Sequence, residues 1–231
     1  MSIKLLPFRH PSTILVAGPT GCGKTQFLVK LLTTPGSIDP EPQRIIWIFS
    51  EWQPAYETLR NALGQRIRFV KEYDPEELYK SIDPNFRNVL VLDDQMGSNA
   101  TSAGDGAVTL TKFFTQGSHH RNLTIIYIVQ NLFNQDRSMR TVNLNSHYQV
   151  LFKNPRDQTQ VRTIAQQMHP ANSRSVVDAF EDATEQPYSY LLFDYRPETP
   201  DHLRMRSRVF DDDSAVYVPI KDQRGGGKRR K

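Results

Sequence analysis

The chain has 231 residues, 38% of them hydrophobic, which is enough to bury a full core and matches the size of a single α/β domain. No run of 18 or more apolar residues occurs, Met1–His10 lacks the long apolar stretch of a signal peptide, and the one cysteine, Cys22, has no partner for an intramolecular disulfide, so membrane-spanning and secreted classes are excluded and a soluble, intracellular protein is expected. The formal charge of +4 is uneven: residues 221–231 hold six of the 29 Lys/Arg and one of the 25 acids, leaving 23 basic against 24 acidic residues, so the basic character describes a tail and not the folded surface.

In chain order, the apolar run Thr13–Ala17 is followed directly by Gly18-Pro-Thr20-Gly21-Cys22-Gly23-Lys24-Thr25 and then by a helix-compatible stretch, Gln26–Leu32. This is G-x-x-x-x-G-K-[ST] in its required strand, loop and helix context. Glycines let successive backbone N–H groups curl around a phosphate, and the helix start adds its unpaired donors and partial positive charge. Lys24 is expected to reach the β- and γ-phosphates, and Thr25 to offer its hydroxyl to Mg²⁺. Cys22 at a helix start can have a lowered pKa and be oxidisable, but a small residue filling a variable loop position is the preferred reading. Residues 33–43 carry Pro35, Gly36, Pro40 and Pro42 and form a connecting loop. Arg44–Phe49 is predicted as a buried strand, with Trp52 and Tyr56 just beyond its carboxyl end, where an aromatic either stacks on a base or packs against the next helix. A short helix over 56–63 and a minor strand over 67–70 follow. Asp74-Pro75-Glu76-Glu77 then places an N-cap, a proline at the first helical position and acids in the first turn of another helix.

Asn88-Val-Leu-Val-Leu92-Asp93-Asp94 reads as a buried parallel strand that delivers two carboxylates at its carboxyl end, the form of a Walker B strand. Asp93 is assigned to Mg²⁺, and Asp94 to orienting and polarising the attacking water; Asp-Asp is also a common turn and cap composition. Residues 95–106 form a Gly/Ser/Asn-rich loop leading into a helix over 108–117, and His119 and His120 complement that helix end instead of binding metal. Leu123–Val129 is the longest buried-strand signal and ends in Gln130-Asn131. There an amide can hydrogen-bond the γ-phosphate or the water, or merely cap the strand. A loop and short helix over 132–145, a strand Tyr148–Phe152, a helix from Asn154-Pro155 to about Met168, a helix Ser173–Ala183, a strand over 188–193 and a weaker extended segment Leu203–Phe210 complete a single domain over 1–220. Residues 221–231 are a basic, disordered tail that serves as a nucleic-acid arm or import signal, or is simply a solvated end.

The order of these motifs resembles that of the P-loop ATPases with an additional acid in Walker B and a strand between the two motifs. The fold this implies is α/β, RecA-like (ASCE), with a mostly parallel central sheet flanked by helices. Gln116-Gly-Ser-His-His-Arg-Asn122, Gln130-Asn-Leu-Phe133, Arg140-Thr-Val-Asn-Leu-Asn-Ser-His-Tyr148, Val150-Leu-Phe-Lys-Asn-Pro-Arg-Asp157 and Tyr190-Leu-Leu-Phe-Asp-Tyr-Arg-Pro-Glu-Thr-Pro200 are similar to the genome-packaging ATPases of large DNA viruses. Those form the poxvirus-type branch of the FtsK/HerA superfamily, shared with adintoviruses and Maverick or Polinton transposons. The resemblance covers about residues 14–210. It implies a homo-oligomeric ring, a pentamer or hexamer, that hydrolyses ATP with Mg²⁺ and drives double-stranded DNA into a capsid, in the host nucleus, the cytoplasm or the virion. In that scheme Gly18, Thr20, Gly21, Cys22, Gly23, Lys24 and Thr25 hold nucleotide, Thr25 and Asp93 the metal, Asp94 acts on the water and Gln130 is the sensor. Relatives outside the viral branch often carry Glu where Asp94 stands.

A ring ATPase also needs a cation from a neighbouring subunit to neutralise charge on the transferred phosphate. Arg121, Arg137, Arg140 and Arg156 are the candidates. Arg140, in a loop before the last core strand, ranks first and Arg156 second. A small-molecule kinase and a nucleotide-dependent switch or assembly factor are the competing functions. The Asp93-Asp94 pair favours water activation over the kinase, and the lack of an Asn-Lys-x-Asp base-reading motif favours ATP over GTP.

Overall fold

A computed structural model describes residues 6–71, 73–93, 113, 114, 121–132 and 137–219, with only the backbone for 137 and 138. In chain order the strands and α-helices among them are β1 (Phe8–Arg9), β2 (Thr13–Ala17), α1 (Lys24–Thr33), β3 (Ile38–Asp39), β4 (Arg44–Ile48), α2 (Ala55–Leu63), β5 (Ile67–Val70), α3 (Pro75–Ser81), β6 (Asn88–Asp93), β7 (Leu123–Val129), α4 (Arg137–Leu144), β8 (Tyr148–Phe152), α5 (Thr159–Met168), α6 (Ser173–Ala183), β9 (Tyr190–Asp194), β10 (Met205–Ser207) and β11 (Ala215–Tyr217).

Nine strands form one sheet in the order β11-β10-β9-β8-β2-β7-β6-β4-β5, while β1 and β3 pair separately. The six strands from β8 to β5 are parallel, and β9, β10 and β11 extend the sheet antiparallel beyond β8. The fold is therefore α/β with a mostly parallel sheet, as expected for a RecA-like P-loop ATPase, and β7 lies between β2 and β6 as the motif order implied.

The near-continuous apolar character of β2, β6 and β7 follows from cover on both faces of the sheet. Leu15, Leu90, Leu92, Ile125 and Tyr127 belong to one buried cluster with Val161, Ile164, Val176 and Phe180 of α5 and α6. Alternate residues Ile14, Val16, Val89, Val91, Ile126 and Ile128 join Phe27, Leu28 and Leu31 of α1 and Leu59 and Leu63 of α2 on the other face. Each such side chain contributes about 1.5–3 kcal/mol on burial. That rigid double-sided core fixes the carboxyl ends of β2, β6 and β7 relative to one another.

Several boundaries differ from the sequence expectation. Asp74 caps α3 as foreseen, its Oδ1 accepting from the Glu77 N–H at 2.8 Å. Helix α5, by contrast, starts at Thr159 and not at Asn154-Pro155. Asn154 Oδ1 accepts from the Arg156 N–H and Asp157 Oδ1 from the Thr159 N–H, so local side-chain turns occupy this stretch first. Strand β9 starts at Tyr190, because Tyr188 adopts a left-handed φ of 66°. Arg140, assigned above to a loop, lies within α4, whose Met139 and Val142 are buried at helical spacing. The loop over 95–106, the helix over 108–117 apart from Phe113 and Phe114, His119, His120 and the tail over 221–231 lie outside the described residues, as does Asp94.

Candidate active site

Strand β2 ends at Ala17, opposite Val129 of β7, and the Gly18 N–H donates to the Val129 carbonyl at 3.2 Å. The phosphate loop thus leaves the sheet directly beside the end of β7. Gly18 admits no side chain, since a Cβ there would sit 2.7 Å from both Cys22 Sγ and Phe152 Cβ. Gly23, at φ 107°, turns the chain into α1, which has no side-chain cap and no acid in its first turn. Its first-turn amides are therefore left for another acceptor. The Lys24 ammonium reaches back over the loop and donates to the carbonyls of Gly18 at 2.6 Å and Pro19 at 2.8 Å. Cys22 is half-buried, and burial pushes its thiol up against the opposing pull of Lys24. A neutral thiol that packs against Gly18 is a loop filler and not an activated nucleophile.

A cavity of about 360 Å³ opens over this loop, and Thr20, Gly21, Lys24, Thr25, Asp93 and Gln130 are among the residues that line it. Four sequence-predicted groups from three elements therefore face one space: Lys24 and Thr25 from α1, Asp93 from the end of β6 and Gln130 from just beyond β7. The register explains the juxtaposition, because Asp93 stands opposite Ile128 and one step further along β7 leads to the strand end. Asp93 is only 5% exposed, whereas Gln130 is exposed to the cavity.

Two partners were not assigned from sequence. Gln53 Oε1 accepts from the Thr25 hydroxyl at 3.1 Å, and the Tyr56 hydroxyl donates to Asp93 Oδ2 at 2.6 Å. Gln53 precedes α2 and Tyr56 lies in its first turn, and because α2 packs against α1, Gln53 comes to the cavity rim and Tyr56 to Asp93. Tyr56 is fully buried among Trp47, Phe49 and Phe69, so of the two roles open to it the packing one holds, with the carboxylate contact added. Trp52 packs edge-on to Phe49 and Phe69 with the Arg60 guanidinium 4.6 Å from its ring, and it does not line the cavity. An aromatic after a strand is too common a packing element for sequence alone to mark it as a carboxylate's partner.

The candidate arginines separate. Arg121 stands at the amino end of β7, opposite the site, where it donates to the Ile82 carbonyl at 3.3 Å and lies 4.6 Å from the Tyr79 ring. Its surroundings account for it structurally. Arg156 is exposed in the turn after β8, at the same sheet edge as the phosphate loop, and that turn is tied to the end of β7 by Asn131 Nδ2 donating to Asp157 Oδ2 at 3.1 Å. Arg140 is exposed on α4. Neither Arg140 nor Arg156 lines the cavity of its own subunit.

No protein-family model matches the chain, and no curated protein is similar to it in sequence. Its fold is nevertheless found among solved structures. The genome packaging NTPase B204 from Sulfolobus turreted icosahedral virus 2, in complex with ATP-gammaS, superimposes with a TM-score of 0.56 at 13% identity over 90% of this chain and 98% of that one. The DNA-packaging ATPase B204 from Sulfolobus Turreted Icosahedral Virus gives 0.57 at 11% identity, again over 90% and 98%. The AMPPCP complex of the former gives 0.55 at 15% identity with the same coverage. At such identities the likeness is one of fold.

Proposed function

We propose that the protein is an ATP-hydrolysing motor that moves double-stranded DNA and packages a viral genome into a capsid. The observation that carries this reading is the convergence of Lys24, Thr25, Asp93 and Gln130 on one cavity at the carboxyl edge of the sheet. The same fold in B204, described as a genome packaging NTPase, supports it, and the sequence motifs quoted above favour the poxvirus-type FtsK/HerA branch, including its adintovirus and Polinton members.

In this reading the loop from Gly18 to Gly23 turns its backbone N–H groups toward the phosphates, and Lys24 exchanges its loop carbonyls for phosphate oxygens. A hydroxyl from Thr25 and a carboxylate from Asp93 at one cavity form an all-oxygen donor set that suits Mg²⁺. When bound, Mg²⁺ neutralises charge on the β- and γ-phosphate oxygens. Asp94, the next residue after Asp93, accepts the proton of the attacking water, and Gln130 orients that water by its amide. Asp is a methylene shorter than Glu, so the water must be held closer to the backbone or through an additional partner. A neighbouring subunit supplies the cation. Arg156 now precedes Arg140 as the choice, because it sits at the site's edge of the sheet. A pentameric or hexameric ring provides that geometry, residues 1–220 form its motor domain, and the basic 221–231 arm touches DNA phosphate. The protein then works in the nucleus, in the cytoplasm or within the virion.

Tyr56 acts through Asp93. Removing its hydroxyl in Tyr56→Phe leaves the ring packing intact but takes away one of the groups that orient the carboxylate, and outer-sphere partners of this kind are typically worth about 10–100-fold in metal affinity or activity. The expected result is hydrolysis that needs a higher Mg²⁺ concentration, read from a Mg²⁺ titration, with a fall in melting temperature on the scale of one lost buried hydrogen bond, about 1–3 kcal/mol. Negative-stain imaging with ATP and DNA tests the assembly. Rings that form with both present support the motor, and a monomer under all conditions overturns it.

A further inference from the structure

Beside the phosphate cavity lies a second hollow of about 460 Å³, between the outer side of α1 and the chain segments that flank β9 and β10. The two spaces share Gly23, Gln26 and Tyr188 as walls and so lie side by side along the start of α1. We propose that this hollow receives the purine base and ribose of the nucleotide whose phosphates lie over Gly18–Thr25, with Tyr188 and Phe210 as the stacking faces. The proposal rests on the phosphate-site reading above and assigns the half of the site that no motif specifies.

The floor of the hollow is aromatic. Phe27 of α1 is 3% exposed, and its ring centroid lies 4.9 Å from Tyr190 and 5.2 Å from Phe210. The Tyr190 hydroxyl accepts from the Val209 N–H at 3.2 Å, which fixes the segment carrying Phe210 against β9. Tyr188 is 73% exposed, an unusual exposure for a large aromatic, and it stands against the phosphate loop: a Cβ on Gly23 would lie 3.3 Å from Tyr188 Cβ. Lys30 and Asp211, 3.5 Å apart, supply donors and an acceptor at the rim suited to ribose hydroxyls.

The backbone gives an independent indication. Tyr188 and Arg208 have φ of 66° and 51°, two of the three non-glycine residues with positive φ among those described, and both line this hollow. Tyrosine and arginine in that region cost free energy, and such residues gather at ligand clamps because the surrounding structure must hold them there. An apolar, aromatic-walled space with a few polar rim groups, beside a phosphate cradle, matches the chemistry of a nucleoside better than that of a peptide or a free anion.

The test uses the full chain and two ligands, ATP and inorganic tripolyphosphate, each with Mg²⁺, measured by titration calorimetry. Tripolyphosphate carries the phosphates without the nucleoside. Tyr188→Ala, and separately Phe210→Ala, is expected to weaken ATP by about 5- to 150-fold, the range of one lost base-stacking contact, while tripolyphosphate binds as in the parent. Tyr188→Trp, which keeps a stacking face, is expected to retain ATP affinity. Unchanged ATP affinity in both alanine variants would overturn the proposal. So would equal losses for ATP and tripolyphosphate, which would make Tyr188 a support of the loop. If the parent protein bound neither ligand, the phosphate-site reading itself would fall, and this proposal with it.

Discussion

Lys24→Ala is expected to abolish measurable ATP turnover, the largest single effect in the molecule. The ammonium is the one cationic side chain lining the phosphate cavity among the described residues, and a point charge against the transferred phosphate is among the strongest terms available to such a site. A loss of at least about 100-fold in kcat/KM is the scale for one such group. Lys24 also has a local structural role, since its Nζ satisfies the carbonyls of Gly18 and Pro19. Leaving a buried carbonyl without a donor costs about 1–3 kcal/mol, so some fall in melting temperature accompanies the kinetic loss. Lys24→Arg separates the two effects, because a guanidinium retains charge but replaces the compact ammonium with a planar fork. Turnover that falls in both variants, with stability restored in the arginine form, assigns the loss to phosphate chemistry. Turnover by Lys24→Ala near the parent rate would remove the phosphate loop from the reaction.

Asp93→Asn is expected to separate stability from activity in the opposite direction. The asparagine is nearly isosteric, and its side-chain oxygen can still accept from the Tyr56 hydroxyl. It removes a negative charge that is only 5% exposed, and holding an ionised carboxylate out of water is costly. The variant should therefore melt no lower than the parent. Hydrolysis, by contrast, should fall by about 10²–10³-fold, the scale of losing one electrostatic group from a preorganised site. ATP binding measured without Mg²⁺ should be unaffected. A rate and a Mg²⁺ dependence equal to the parent's would contradict the assignment of Asp93 to the metal.

The centre of the fold was legible because its residues have few alternatives. A strand such as Leu123–Val129, with all seven residues buried, cannot be read as a surface element, and Gly18–Thr25 carries its chemistry in the spacing of its glycines, lysine and threonine. Once β2, β6 and β7 are adjacent and parallel, their carboxyl ends converge, so Asp93 and Gln130 could be placed beside Lys24 from sequence order alone. The misread elements are those whose local signals are degenerate. Asn154-Pro155 reads as a helix start, but the same composition forms side-chain turns, and Asp157 delays the helix to Thr159. Strand β11 spans three half-buried residues and owes its existence to pairing with β10, which no short window reveals. Gln53 and Tyr188 were illegible as site residues for a related reason, and Tyr56, noted only for stacking or packing, gave no sign of its contact to Asp93. Gln53 and Tyr188 reach the cavities through tertiary packing, the first from the segment before α2 and the second from a left-handed turn before β9, and Tyr56 reaches Asp93 from the first turn of α2.

The tie between the α2 entry and the site has a physical consequence. Gln53 and Tyr56, three residues apart, hold Thr25 and Asp93, the two groups proposed for the metal. The Thr25 hydroxyl gives its one proton to Gln53 and keeps its oxygen lone pairs for a cation, so the Gln53 contact orients that oxygen toward the cavity.

Phosphate release from ATP, measured with and without double-stranded DNA for the parent and for Asp94→Asn, tests the central claim most directly. The expected result is hydrolysis by the parent that DNA accelerates, and its loss in Asp94→Asn with ATP binding retained. No DNA-stimulated hydrolysis in any oligomeric form, together with an Asp94→Asn variant indistinguishable from the parent, would contradict it.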